Sequence, residues 1–253
     1  MSGHSHFASI KHKKGKADEA RGKAFSKMAR VISIAAKEGG GGDPDSNYKL
    51  RIVIEQAKEI NMPKDNIERA IKKGTGELAG EKLESFIFEA YGPGGIALII
   101  EGITDNKNRT LGDVKKILSQ YNGKLAGEGS VKWMFERKET IIINFQFPIS
   151  LDPKGTPRKA AFQKKEDLEL IAIEAGADDI YWSDDFLDVY TKPEDSEKVK
   201  KNLEDKGIKI ESSSLDWVAK EKIEVENKES CEKLFEALDE NDDVQNIYSN
   251  LKL

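Results

Sequence analysis

Phe86-Ile87-Phe88-Glu89-Ala90-Tyr91-Gly92-Pro93-Gly94-Gly95-Ile96-Ala97-Leu98-Ile99-Ile100 is the stretch on which the fold turns. Two runs of branched and aromatic residues flank Gly-Pro-Gly-Gly, which reads as a β-hairpin. Everything before it has helical periodicity. Residues 17–37 place Phe25, Met28, Ile32 and Ala35 on one side at about 100° per residue. Gly39 to Gly42 break that helix, because four glycines lose more backbone entropy than a helix recovers. Asp43-Pro44 reads as the N-cap and first-turn proline of a second helix over 44–60, with Leu50, Val53, Ile54, Ala57 and Ile60 on its apolar face. Met62-Pro63 stops it. Asp65-x-x-Glu68 then reads as a capping box, and Lys72-Lys73 followed by Gly74 as the C-cap end of a third helix.

After the hairpin, strands alternate with helices. Thr104-Asp105-Asn106 caps a helix near 107–121, and Val131 to Phe135 reads as a strand, giving ββαβ. Residues 139–217 read as strand (Thr140 to Phe147), helix (164–175), strand (Asp179 to Trp182), strand (Phe186 to Tyr190), helix (194–206) and strand (Ile208 to Trp217). That order is a complete ferredoxin-like split βαβ unit. The tail supplies strand (Lys222 to Glu226), helix (229–239) and strand (Val244 to Leu251), too little to bury a sheet alone. Joined to the earlier ββαβ, it completes a second sandwich. The predicted fold class is therefore α+β multidomain: an N-terminal three-helix domain followed by two ferredoxin-like α/β sandwich domains, the third inserted into the second. The expected boundaries are 1–78 for the helices, 79–138 plus 218–253 for the discontinuous α/β domain, and 139–217 for the insert.

A chain of 253 residues with 38% hydrophobic content can bury several cores. Its net charge of −5 is unevenly spread: residues 1–76 hold 16 Lys and Arg against 9 Asp and Glu, while residues 77–253 hold 25 against 37. A basic head on an acidic body suits a molecule that offers one end to a polyanion. Cys231 has no intramolecular disulfide partner, no apolar run reaches the ~18–20 residues of a membrane span, and the first residues lack the apolar core of a secretory signal. A cytoplasmic location, no membrane contact and a monomeric state are expected.

The basic head concentrates the candidate chemistry. All three histidines lie within the first 12 residues, and no acidic side chain precedes Asp18. Lys11, Lys13, Lys14 and Lys16 would neutralise backbone phosphates. Arg21 and Arg30 offer bidentate phosphate contacts. His4, His6, His12 and Phe7 can stack on or hydrogen-bond to unpaired bases. On the first helix Lys16, Lys23, Lys27, Arg30 and Lys37 form a stripe opposite the apolar face, interrupted by Ile34, and apart from Glu19 before Lys23 it has no acidic residue at i±4. Lys64, Arg69, Lys107 and Arg109 join the candidate nucleic-acid-binding set, the last two as an anion site at a helix N-terminus. Other chemistries are poorly provided for. The histidines lack Cys or acidic partners for zinc. The glycines are not followed by Lys-Ser/Thr as a phosphate-binding loop requires. Asp178-Asp179 and Asp184-Asp185 flank a predicted turn without a nearby base. No enzyme activity, metal or cofactor is expected.

Several ordered motifs resemble one family. Gly3-His4-Ser5, Ile10-Lys11-His12, Arg21-Gly22-Lys23, Asn61-Met62-Pro63-Lys64-Asp65-Asn66-Ile67-Glu68-Arg69-Ala70, Tyr91-Gly92-Pro93-Gly94-Gly95, Thr104 to Thr110 and Phe135-Glu136-Arg137-Lys138 are similar to signatures of the YebC/PmpR family. The resemblance spans the chain, with His6-Phe7 where the family usually has Lys-Trp and Glu139 where glycine is usual. It implies a helical N-terminal domain with two α/β domains. It also implies a regulator of gene expression: a transcriptional regulator, a mitochondrial translational activator of cytochrome c oxidase subunit I, or a bacterial ribosome-associated factor assisting proline-rich synthesis. The expected function is that of a non-enzymatic RNA- or ribosome-binding translation factor. The alternative is DNA-binding transcription regulation, and the acidic domains offer a protein-partner surface.

Overall fold

The computed structural model describes residues 17–80, 82–145 and 164–252. Three helices come first: α1 (Ala17–Glu38), α2 (Tyr48–Glu59) and α3 (Lys64–Thr75). They enclose a core of Ile32, Ala35, Ala36, Leu50, Ala57, Met62, Ile67 and Ala70, with Phe25, Met28, Val53 and Ile54 packed on it. Those are the positions that a 3.6-residue period puts on one side of each helix.

Two four-stranded sheets follow. The first contains β1 (Glu84–Tyr91), β2 (Ala97–Thr104), β3 (Lys124–Leu125) and β8 (Val244–Ser249), in the order β3-β1-β2-β8. The hairpin pairs Glu84 with Thr104 through to Tyr91 with Ala97. α4 (Lys107–Gln120) carries the chain from β2 past β1 to β3, and α7 (Lys228–Asp239) leads into β8. The second sheet, in the order β5-β6-β4-β7, holds β4 (Phe135–Asn144), β5 (Asp179–Ser183), β6 (Phe186–Thr191) and β7 (Ile210–Ala219), paired antiparallel throughout. α5 (Lys165–Ala175) and α6 (Ser196–Asp205) complete it. Ile141, Ile143, Leu187 and Val189 alternate onto the face that packs on Leu168, Ala172, Val199 and Leu203. The strand order is the split βαβ arrangement, and β4 to β7 lie between β3 and β8 of the first sheet in sequence. The chain is thus α+β, with helices first and one sandwich inserted into the other.

By compactness the chain divides into two units. One comprises residues 13–130 with 227–247, and the other residues 131–226 with 248–253. The three helices and most of the first sheet therefore share a unit.

Several local expectations are corrected. α2 begins at Tyr48, not 44, because Asn47 is the cap: its Oδ1 accepts from the Leu50 N–H while its Nδ2 donates to the Ala35 and Gly41 carbonyls. Asp43 instead accepts from the Asp45 N–H and closes its own turn. α3 begins after Pro63, so Asp65 lies in its first turn and makes no capping box. The left-handed C-cap is Gly76 (φ +81°), while Gly74 lies inside the helix. Val131 to Phe135 is not a separate strand: a 3-10 turn at Lys132–Met134 precedes β4, which begins at Phe135 and continues to Asn144. The Lys222 to Glu226 strand reduces to one bridge between Ile223 and Leu251.

Gly74 has a packing role. A Cβ there would come within 2.3 Å of the Ser33 carbonyl oxygen and 2.9 Å of the Ala36 Cβ. Only a glycine lets α3 lie this close to α1. Gly74→Ala should destabilise the unit by about 1–3 kcal/mol through overpacking, read as a lower urea midpoint at unchanged m-value.

Candidate nucleic-acid interface

The α1–α3 seam builds the floor of a groove. The Ser33 hydroxyl donates across it to the Ala70 carbonyl (2.8 Å), and Gly74 sits against the Ser33 backbone. Small residues keep the floor low between the helices. The groove beside it has a volume of about 890 Å³ and is roofed in part by Gly76, Leu78, Ala79, Gly80, Lys82 and Leu83. Its cations are Arg30, Lys37, Arg69, Lys73 and Lys82, and its described lining contains no Asp or Glu. Arg69 and Lys73, four residues apart on α3, project from one face. Lys37 donates to the Leu83 carbonyl (2.8 Å), which ties the roof segment to α1. Converging cations over an apolar floor focus positive potential into the groove.

The other face of α1 is different. Lys27 is 7% exposed and its Nζ bonds both the carboxylate and the carbonyl of Asp239, each at 2.9 Å. Arg30 donates through Nη1 to the Ile103 carbonyl (3.0 Å) and to Asp243 Oδ1. The second oxygen of Asp243 accepts from Thr110 (2.6 Å), Arg109 (2.8 Å) and Thr104 (3.1 Å). Burial alone would raise the Asp243 pKa, but the hydrogen bonds from Thr110, Arg109 and Arg30 outweigh it and bring it to about 2. Arg109 is held above its ordinary value, first by Asp105 (2.5 Å) and then by Asp243.

The basic stripe expected along α1 is therefore not one solvated surface. Lys27 and Ile34 are buried and Arg30 is paired. Neither Lys27 nor Arg30 has an acidic residue at i±4; their partners lie more than 200 residues downstream. The anion site expected at Arg109 is likewise filled by the protein's own carboxylates. Of the other candidates, Lys107 is exposed, Arg21 is exposed and Lys23 half-exposed on α1, and Lys64 is a surface side chain 3.4 Å from Glu68. Only Arg69 and Arg30 line the groove. His4, Lys11, His12, Lys13, Lys14 and Lys16 lie outside the described residues. Lys73 and Lys82 also line the groove and were not among the candidates. Lys73 was legible as the i+4 partner of Arg69 but read as helix-dipole compensation, and nothing local marks Lys82. Of the paired carboxylates, Asp184 occupies the β5–β6 turn with φ +54°, and Asp178 lies 3.8 Å from Lys138.

Residues 5–77 match the family model described as the TACO1/YebC protein N-terminal domain, and residues 83–251 match the TACO1/YebC second and third domain. The chain belongs to the TACO1/YebC family. A protein of Halothermothrix orenii called "Probable transcriptional regulatory protein" is 46% identical, the alignment covering all of this chain and 96% of that protein. One of the same name from Natranaerobius thermophilus is 43% identical, over all of this chain and 97% of that protein. The crystal structure of the conserved hypothetical protein Aq1575 from Aquifex aeolicus superposes with a TM-score of 0.80 at 41% identity, covering 98% of this chain and 96% of that one. No described helix of this TACO1/YebC chain is long and apolar enough to cross a membrane.

Because the Asp243 pKa lies below its unfolded value of 3.8, its ion pairs contribute stability that is complete above that value and lost as pH falls toward 2. Asp243→Asn should lower stability at pH 7 by about 1.5–3 kcal/mol. It should also flatten the acid limb between pH 4 and 2, as followed by urea denaturation across pH.

Proposed function

We propose that this chain is a non-enzymatic regulator of gene expression that binds RNA through its basic helical head, on the ribosome during translation. The observation that carries this reading is the groove: its described lining holds five cations, of which Arg30 alone is paired to a carboxylate behind it, and no acidic residue, and all but Lys82 belong to the part of the chain whose balance is positive. Lysines and arginines so placed engage phosphates. The names borne by the relatives support a regulatory role. Those names say transcription, which favours duplex DNA as a second reading. Against it, a duplex reader presents hydrogen-bonding side chains to base edges in the major groove. The exposed charged residues that line this groove, Lys37, Arg69, Lys73 and Lys82, are all Lys or Arg. RNA, whose phosphates and unpaired bases are both accessible, suits them better.

The test is ribosome co-sedimentation of the full chain beside a variant with Lys11, Lys13, Lys14 and Lys16 changed to Gln, which leaves the helical core untouched. The variant should bind more weakly, and the slope of log K against log salt should fall by roughly 3. Equal binding and slope would remove the arm as an anchor. Tighter binding to operator-sized duplex DNA than to structured RNA at matched salt would favour the second reading.

A further inference from the structure

Surfaces that hold a duplex without reading its sequence need cations alone. Sites for single strands add apolar or aromatic platforms, because the bases arrive unstacked. The α1–α3 groove has both parts. Phe25, half-buried on α1, and Leu78, 41% exposed, line the same space as Arg69, Lys73 and Lys82. Its volume of about 890 Å³ is within the range of clefts that enclose one ligand of a few linked rings, and far too small for a duplex. Arg30 adds preorganisation. Its Nη1 is fixed by the Ile103 carbonyl and Asp243, and its remaining N–H groups have no partner among the described residues. A guanidinium already held in place loses little rotamer freedom when it takes a phosphate oxygen.

We propose that the α1–α3 groove is a binding site for a short single-stranded RNA segment, with bases against Phe25 and Leu78 and phosphates on Arg30, Arg69 and Lys73. This rests on the RNA-binding reading above and narrows it: the groove selects unpaired nucleotides, while the basic arm adds general phosphate affinity. Gly22 supplies a charge-neutral probe. It is exposed, lines the groove, and a Cβ added there would meet nothing within 4 Å. Gly22→Leu therefore has room at its Cβ, adds apolar volume to the groove lining and favours the helix.

Fluorescence anisotropy of the full-length chain would use a labelled oligouridine of about eight nucleotides and an RNA duplex of equal phosphate count. The single strand should bind the unmodified chain more tightly than the duplex does. Gly22→Leu and the double variant Arg69→Gln/Lys73→Gln should each weaken the single strand by about tenfold or more, the loss of roughly one stacked base or two phosphate contacts. Gly22→Leu should leave the duplex affinity unchanged. Equal affinity for duplex and single strand, no effect of Gly22→Leu, or equally tight capture of polyglutamate would overturn the proposal. If the four-lysine arm variant loses RNA binding while both groove variants keep it, the groove assignment fails and the RNA-binding reading stands. If the unmodified chain binds neither RNA, both fail.

Discussion

A single buried carboxylate organises the larger part of this molecule. Asp243, 5% exposed, receives Arg30 from α1, Arg109 and Thr110 from α4, and Thr104 from the end of β2. Removing a charge from water is costly unless its lone pairs are met, and here both oxygens are. The arrangement depends on a close backbone approach. A Cβ on Gly102 would come within 2.1 Å of the Asp243 carbonyl oxygen, which itself accepts from the Ile103 N–H at 2.8 Å. Lys27 and Asp239 add a second long-range pair beside it. Together these contacts fix α1 against the first sheet at defined residues, where apolar packing alone would permit sliding.

That constraint divides the basic residues around α1 into two populations. Lys27, Arg30 and Arg109 spend charge on internal carboxylates, and so hold the unit together. Arg69, Lys73 and Lys82 remain exposed around a groove whose described lining holds no acid. Arg30 belongs to both groups, paired through one nitrogen and bordering the groove. The same helix thus joins structural electrostatics on one side to an anion-receptive surface on the other. Local sequence gives no hint of where the division falls.

Element types were legible because hydrophobic period and turn chemistry are local properties. Phe25, Met28 and Ile32 announced α1, Gly92 to Gly95 announced the hairpin, and the order of strands and helices from 139 to 217 announced the inserted sandwich. Cap positions were less legible wherever two residues competed for one role. Asn47 displaced Asp43 because its amide can accept from Leu50 while donating to two carbonyls brought near by α1. Gly74 was drawn into helix packing, and Gly76 took the left-handed cap.

By itself the sequence determined the fold class, the net positive balance of the first 76 residues, and the family, because each follows from composition, periodicity or contiguous motifs. Tertiary structure decided which of those charges are available. Lys27 and Arg30 looked free because Asp239 and Asp243 lie more than 200 residues away in the chain. Ion pairing depends on distance through space, so only the folded chain could bring these partners together and leave the α1–α3 groove as the exposed positive surface.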